Sequence, residues 1–119
     1  MTNLERLKLE LANKQYFTDD EYAVFLDENG LNATDTYNKE QDQLELLQSV
    51  LAVLNSLSNN IELFMKIQTE FTTVSSAYSN LAKRIDTLEK KIAELPNYQS
   101  TAPTITYLFY NWLGVLLWI

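Results

Sequence analysis

The chain has 119 residues, of which 46% are hydrophobic and 21% charged, the size and usage of one small globular domain with no room for two independent cores. It has no cysteine and no histidine, so disulfides, thiolate nucleophiles, Cys/His zinc sites and serine-histidine relays are all excluded. A formal charge of −7 argues against tight nucleic-acid binding through phosphates, which needs clustered Lys and Arg. Two glycines and two prolines in the whole length supply too little turn chemistry for a many-stranded sandwich or barrel and favour long helices. The expected fold is all-α: a small four- or five-helix bundle over residues 1–96, followed by an extended C-terminal arm over residues 97–119.

In chain order, Thr2 and Glu5 have the spacing of a capping box, in which a hydroxyl takes one free helical N–H and a carboxylate reaches back to another. Leu4, Leu7 and Leu11 then form an apolar stripe that predicts a helix to about Asn13 or Lys14. Glu5, Arg6, Lys8 and Glu10 interrupt these leucines, so the segment lacks the apolar centre of an export signal and cytoplasmic manufacture is expected. A second capping box stands at Thr18 and Glu21, with Asp19 and Asp20 in the first turn, where the helix dipole favours negative charge. Tyr22, Phe25 and Leu26 predict the buried face of this helix, and Gly30 is placed to end it in a left-handed conformation. The two helices read as a short hairpin.

Residues 27–36 are rich in turn formers and predict a loop, with Thr34, Asp35 or Thr36 capping the next helix. From Tyr37 to about Leu57 the pattern is helical. Leu44, Leu47, Leu51 and Leu54 form its stripe, and Leu46, Val50 and Val53 widen it enough to imply burial on more than one side. A short helix carrying Ile61, Phe64, Met65 and Ile67 follows the break at Asn59 and Asn60. Thr72, Thr73, Ser75 and Ser76 predict a polar hinge and the N-cap of a last long helix. The stripe of that helix, Val74, Tyr78, Leu81, Ile85, Leu88, Ile92 and Leu95, is a heptad seam. Asp86 and Lys90 form an i,i+4 pair on its outside, and Pro96 stops it.

Beyond Pro96, residues 97–104 are polar and contain a second proline, which predicts a linker. Ile105, Tyr107, Phe109, Tyr110, Trp112, Leu113, Leu116 and Trp118 then crowd the end of the chain. The apolar run is shorter than the roughly 20 residues that a bilayer span needs and has no basic flank, so membrane insertion is not expected. These residues are the expected partner-binding arm, docking by strand addition or as an anchor in a groove; packing back on the bundle is the alternative.

Charge is uneven. Residues 1–43 hold ten acidic side chains against four basic ones, and residues 44–119 hold six against five. Asp19, Asp20, Glu21, Asp27 and Glu28 lack the alternating ligands and the sixth-position glycine of a calcium loop, so capping and solubility are their plain roles. The sharper role is a negative channel surface along which nucleic acid slides without sticking. No metal, cofactor or catalytic residue is expected. Leu47, Leu51, Leu54, Tyr78, Leu81, Ile85, Leu88 and Ile92 are the expected core or subunit seam, with core the default for a bundle.

The opening, Leu4-Glu5-Arg6-Leu7-Lys8 leading to Thr18-Asp19-Asp20-Glu21-Tyr22, resembles the start of the small head-to-tail connector (adaptor) proteins of tailed bacteriophages. The resemblance extends through the central and last long helices to about Leu95. It implies a helical bundle that assembles into a homo-oligomeric ring, commonly of twelve subunits, beneath the portal, with a C-terminal tail that docks on the portal protein. The implied setting is the head-to-tail junction of a virion assembled in the host cytoplasm, with a tail-side or stopper protein beyond it and DNA passing through without sequence-specific binding. Two other readings fit the composition: a small cytoplasmic adaptor or regulatory bundle that binds one partner, and a peripheral membrane-associated protein held by its C-terminus.

Overall fold

The computed structural model describes residues 1–96, so the predicted arm lies outside the described residues. Five helices follow one another: α1 (Asn3–Glu10), α2 (Asp19–Glu28), α3 (Lys39–Ser58), α4 (Ile61–Ile67) and α5 (Val74–Ala93). Among the described residues there is no strand, only an isolated antiparallel bridge between Thr2 and Thr36. The all-α bundle expected from composition is therefore the fold.

Local chemistry sets the helix starts. The Thr2 backbone N–H donates to Glu5 Oε1 at 2.9 Å and Glu5 N–H donates to Thr2 Oγ1 at 3.1 Å, a complete capping box. The Thr18 and Glu21 pair repeats it at 2.9 and 3.2 Å. At the hinge, Thr73 Oγ1 accepts from Ser76 N–H at 3.1 Å and opens α5. Gly30 follows α2 with φ +85°, the left-handed turn expected of it.

Two boundaries differ from the expected ones. The first helix stops at Glu10 rather than near Asn13 or Lys14, because Ala12 and Asn13 both take positive φ. Their N–H groups satisfy the carbonyls of Leu9 and Lys8 at 3.0 and 2.8 Å, which offsets the strain of two left-handed non-glycine residues. The cap of α3 is Asn38, whose side chain accepts from Glu40 N–H at 3.0 Å, and not Thr34, Asp35 or Thr36. The backbone of residues 33–37 is engaged elsewhere. Asn3 N–H donates to Asp35 O at 2.9 Å, Leu4 N–H to Ala33 O at 3.1 Å and Tyr37 N–H to Met1 O at 2.9 Å, which pins the loop to the chain start. Asn3 is buried in this junction and donates through Nδ2 to Asn32 O at 2.8 Å.

The third helix is the axis of the fold and packs against each of the other four. Leu46, Val53 and Leu57 are fully buried on it and Val50, Leu47 and Leu54 nearly so, while Leu44 and Leu51 are half-buried. The apolar face is as broad as expected but centred on the residues that only widened the predicted stripe. Leu7, Leu11, Tyr22 and Leu26 cover one side of it and Phe64, Ala77 and Leu81 another. Tyr16 and Phe64 rings stand 6.0 Å apart, and the Tyr16 hydroxyl lies 2.7 Å from the Gln68 side-chain amide, so the α1–α2 connection is tied to the end of α4.

The heptad seam on α5 needs a correction at its start. Leu81 and Ile92 are buried and Ile85 and Leu88 half-buried, but Val74 and Tyr78 are 48% and 43% exposed. Ala77, with no exposure, takes their inward place. At about 100° per residue, Tyr78 and Ala77 flank the Leu81 direction, about 60° to one side and about 40° to the other, and the first turns of α5 bury the Ala77 side. The small Ala77 also lets α5 approach α3 and α4 more closely than tyrosine would.

Candidate functional site

Of the residues expected to act, the five carboxylates Asp19, Asp20, Glu21, Asp27 and Glu28 all lie exposed on α2. They are not equivalent. Asp19 accepts from Lys8 Nζ at 3.0 Å and from Gln15 Nε2 at 3.1 Å, and these bonds, Lys8 first, hold its carboxyl below the ordinary range. Glu21 is held below its ordinary value chiefly by the Thr18 backbone N–H. Asp20, Asp27 and Glu28 make no ion pair and no side-chain hydrogen bond within the described residues. They surround Val24, which is 54% exposed, at the i−4, i+3 and i+4 positions of the helix. The outer side of α2 is thus an apolar knob within three uncommitted negative charges.

The opposite charge collects on α5, which carries four of the five basic residues that follow position 43. Lys90 is paired with Asp86 at 2.9 Å, and that hydrogen bond raises its ammonium pKa. Lys83, Arg84 and Lys91 are in no ion pair among the described residues. They rim a groove of about 340 Å³ between the end of α1, the middle of α3 and α5, whose floor is Leu11, Val50, Leu54 and Leu88. Asn80, Arg84 and Leu88 form one i,i+4 row along it and Lys83, Thr87 and Lys91 the neighbouring row. Glu10 also reaches the groove, but its carboxylate is committed to Arg6 at 2.6 Å. An apolar floor under a cationic rim has the chemistry to receive an apolar residue flanked by carboxylates.

Of the expected seam, Leu54 and Leu88 line this groove, Leu47, Leu81 and Ile92 are buried, Leu51 and Ile85 are half-buried, and Tyr78 faces outward. The arm residues Ile105, Tyr107, Phe109, Tyr110, Trp112, Leu113, Leu116 and Trp118 lie outside the described residues. Sequence reasoning did not single out Lys83, Arg84, Thr87 and Lys91. The signal that points to them is the gathering of basic residues on one helix of an acidic chain.

Among the described residues no group of three or more carboxylates is placed to hold a metal ion, and no helix is long and apolar enough to cross a membrane. No family model, curated protein or solved structure matches the chain.

Proposed function

We propose that the chain is a non-enzymatic structural subunit of a phage head-to-tail junction, forming a homo-oligomeric ring beneath a portal and gripping the portal with residues 97–119. The observation that carries this reading is the change of character at Pro96. Every Asp, Glu, Lys and Arg of the chain lies within residues 1–96, whereas the segment from Asn97 onward is uncharged and dense in Trp, Tyr, Phe and Leu. A surface of that composition needs cover from another apolar surface. In this reading another polypeptide provides it, by strand addition or by anchor residues in a groove.

The opening residues that resemble the connector proteins and the five-helix body support the same role. One heterologous contact repeated about an axis lets a small subunit build a conduit much wider than itself. A predominantly acidic body suits passage of DNA, because it repels phosphate along the path. The test is native mass determination of the full chain and of a chain stopped at Tyr98, each alone and with a portal ring. The full chain forms a multimer that binds the portal; the shortened chain keeps its helical spectrum and loses portal binding. Unchanged binding by the shortened chain would refute the docking role.

A further inference from the structure

The two charged faces described above have matching dimensions. On α2, Asp20, Val24 and Glu28 form a single i,i+4 row with an acid at each end and an exposed apolar residue in the middle, and Asp27 lies beside it. On α5, the row Lys83, Thr87 and Lys91 has a base at each end, and Arg84 and Leu88 lie beside it over the apolar floor. Both rows run over eight residue steps, about 12 Å at 1.5 Å per residue. The three carboxylates on α2 and the three cations on α5, none of them in an ion pair among the described residues, thus have the same end-to-end spacing on separate faces of the molecule, and Val24 has the size to enter such a groove.

We infer that the α5 groove receives α2 of a second copy of this chain, with Val24 seated over Leu54 and Leu88, and with Asp20, Asp27 and Glu28 meeting Lys83, Arg84 and Lys91. Both helices pack on α3 and make no contact with each other, so one copy presents its acidic row and its groove at separate places and can engage two neighbours at once. That is the heterologous contact a ring requires. Opposed charge steers the encounter and fixes the register, while burial of Val24 adds apolar area. The inference rests on the ring reading and deepens it. It withdraws Asp20, Asp27 and Glu28 from a channel wall and assigns them to the contact between subunits.

Charge reversal with mixing tests this. One full-length variant carries Lys83→Glu, Arg84→Glu and Lys91→Glu; the other carries Asp20→Lys, Asp27→Lys and Glu28→Lys. Five of the six positions are exposed and Arg84 is half-buried, and circular dichroism checks each fold. Each variant alone opposes like charges at the contact, and its self-association weakens roughly a hundredfold. An equimolar mixture restores complementary contacts and recovers the wild-type mass. Wild-type association also falls between low salt and about 0.5 M salt, since exposed charges are screened. Single variants that assemble like the wild type, or a mixture that stays dissociated, would overturn the α2–groove contact and leave the ring reading standing. Variants that behave as expected but build only a closed dimer would uphold the contact and defeat the ring. A wild-type chain that stays monomeric would defeat both.

A second measurement leaves every charge in place. A photoreactive benzoylphenylalanine at the exposed Thr87, in a mixture of isotopically light and heavy copies, cross-links to the 19–28 segment of another copy. Cross-links to residues 97–119 instead would identify those residues as the groove's occupant and overturn the inference.

Discussion

The Tyr22 hydroxyl donates to the Lys14 carbonyl at 2.8 Å and at the same time accepts from the Tyr16 N–H at 3.1 Å. One fully buried side chain thereby holds the turn between α1 and α2 at two backbone groups. Tyr22→Phe keeps the ring and removes both bonds, leaving two inward-facing backbone groups without partners. The expected loss is about 1–3 kcal/mol, read as a lower urea midpoint at unchanged slope.

Burial raises the Tyr22 phenol pKa, so the folded state favours the neutral form more than the unfolded chain does. The sign follows from linkage: this contribution is whole below the ordinary tyrosine value near 10 and is lost as pH climbs through the higher folded value. The capping carboxylates act at the other end of the scale. Glu5 and Glu21 are lowered chiefly by the Thr2 and Thr18 backbone N–H groups, and Asp19 by Lys8. Their contribution is present above the unfolded carboxylate range and disappears as pH falls through their depressed values. Thermal melts should therefore drop below about pH 4. Glu21→Gln, which retains a reach-back acceptor, should flatten part of that drop, whereas an unchanged acid profile would remove the cap from the account.

Leu81 and Tyr78 stand one turn apart on α5, the first fully buried and the second 43% exposed. Leu81→Ala should cost about 2–5 kcal/mol through lost burial and the cavity left behind. Tyr78→Ala should change stability by no more than about 0.5 kcal/mol, as exposed substitutions do. Equal losses at the two positions would restore the heptad seam in the form expected from spacing alone.

Gly30 has φ +85°, and a Cβ built there meets nothing within 4 Å. The cost of Gly30→Ala is therefore conformational rather than steric crowding, roughly 1–2 kcal/mol for a left-handed alanine. Gly30→Asn should cost less, because asparagine tolerates that region. Chemical denaturation of the two variants gives the order.

Features governed by near neighbours were legible in the sequence. The capping boxes at Thr2 and Thr18, the Thr73 cap, the turn at Gly30 and the Asp86–Lys90 pair all act within a few residues and appear where spacing put them. The features that were missed depend on residues far apart in the chain. Asn38 caps α3 because the preceding residues are occupied by Met1 to Leu4, a pairing that no local pattern encodes. Asn3 looks like a surface residue until Asn32 closes over it. The groove exists only when Leu11, Val50 and Leu88 meet, so its basic rim could be read as a cluster on one helix but not as a rim. Tyr78 and Ala77 lie on either side of the Leu81 row, and spacing alone does not say which of the two sides the neighbouring helices cover.

If this chain is a building block for a closed assembly, sedimentation equilibrium of the full chain at low salt over a wide concentration range will reveal the assembly's mass. The expected result is a single limiting species at a fixed multiple, greater than two, of the 13.8 kDa subunit. A mass that stays at one subunit at every concentration would contradict it.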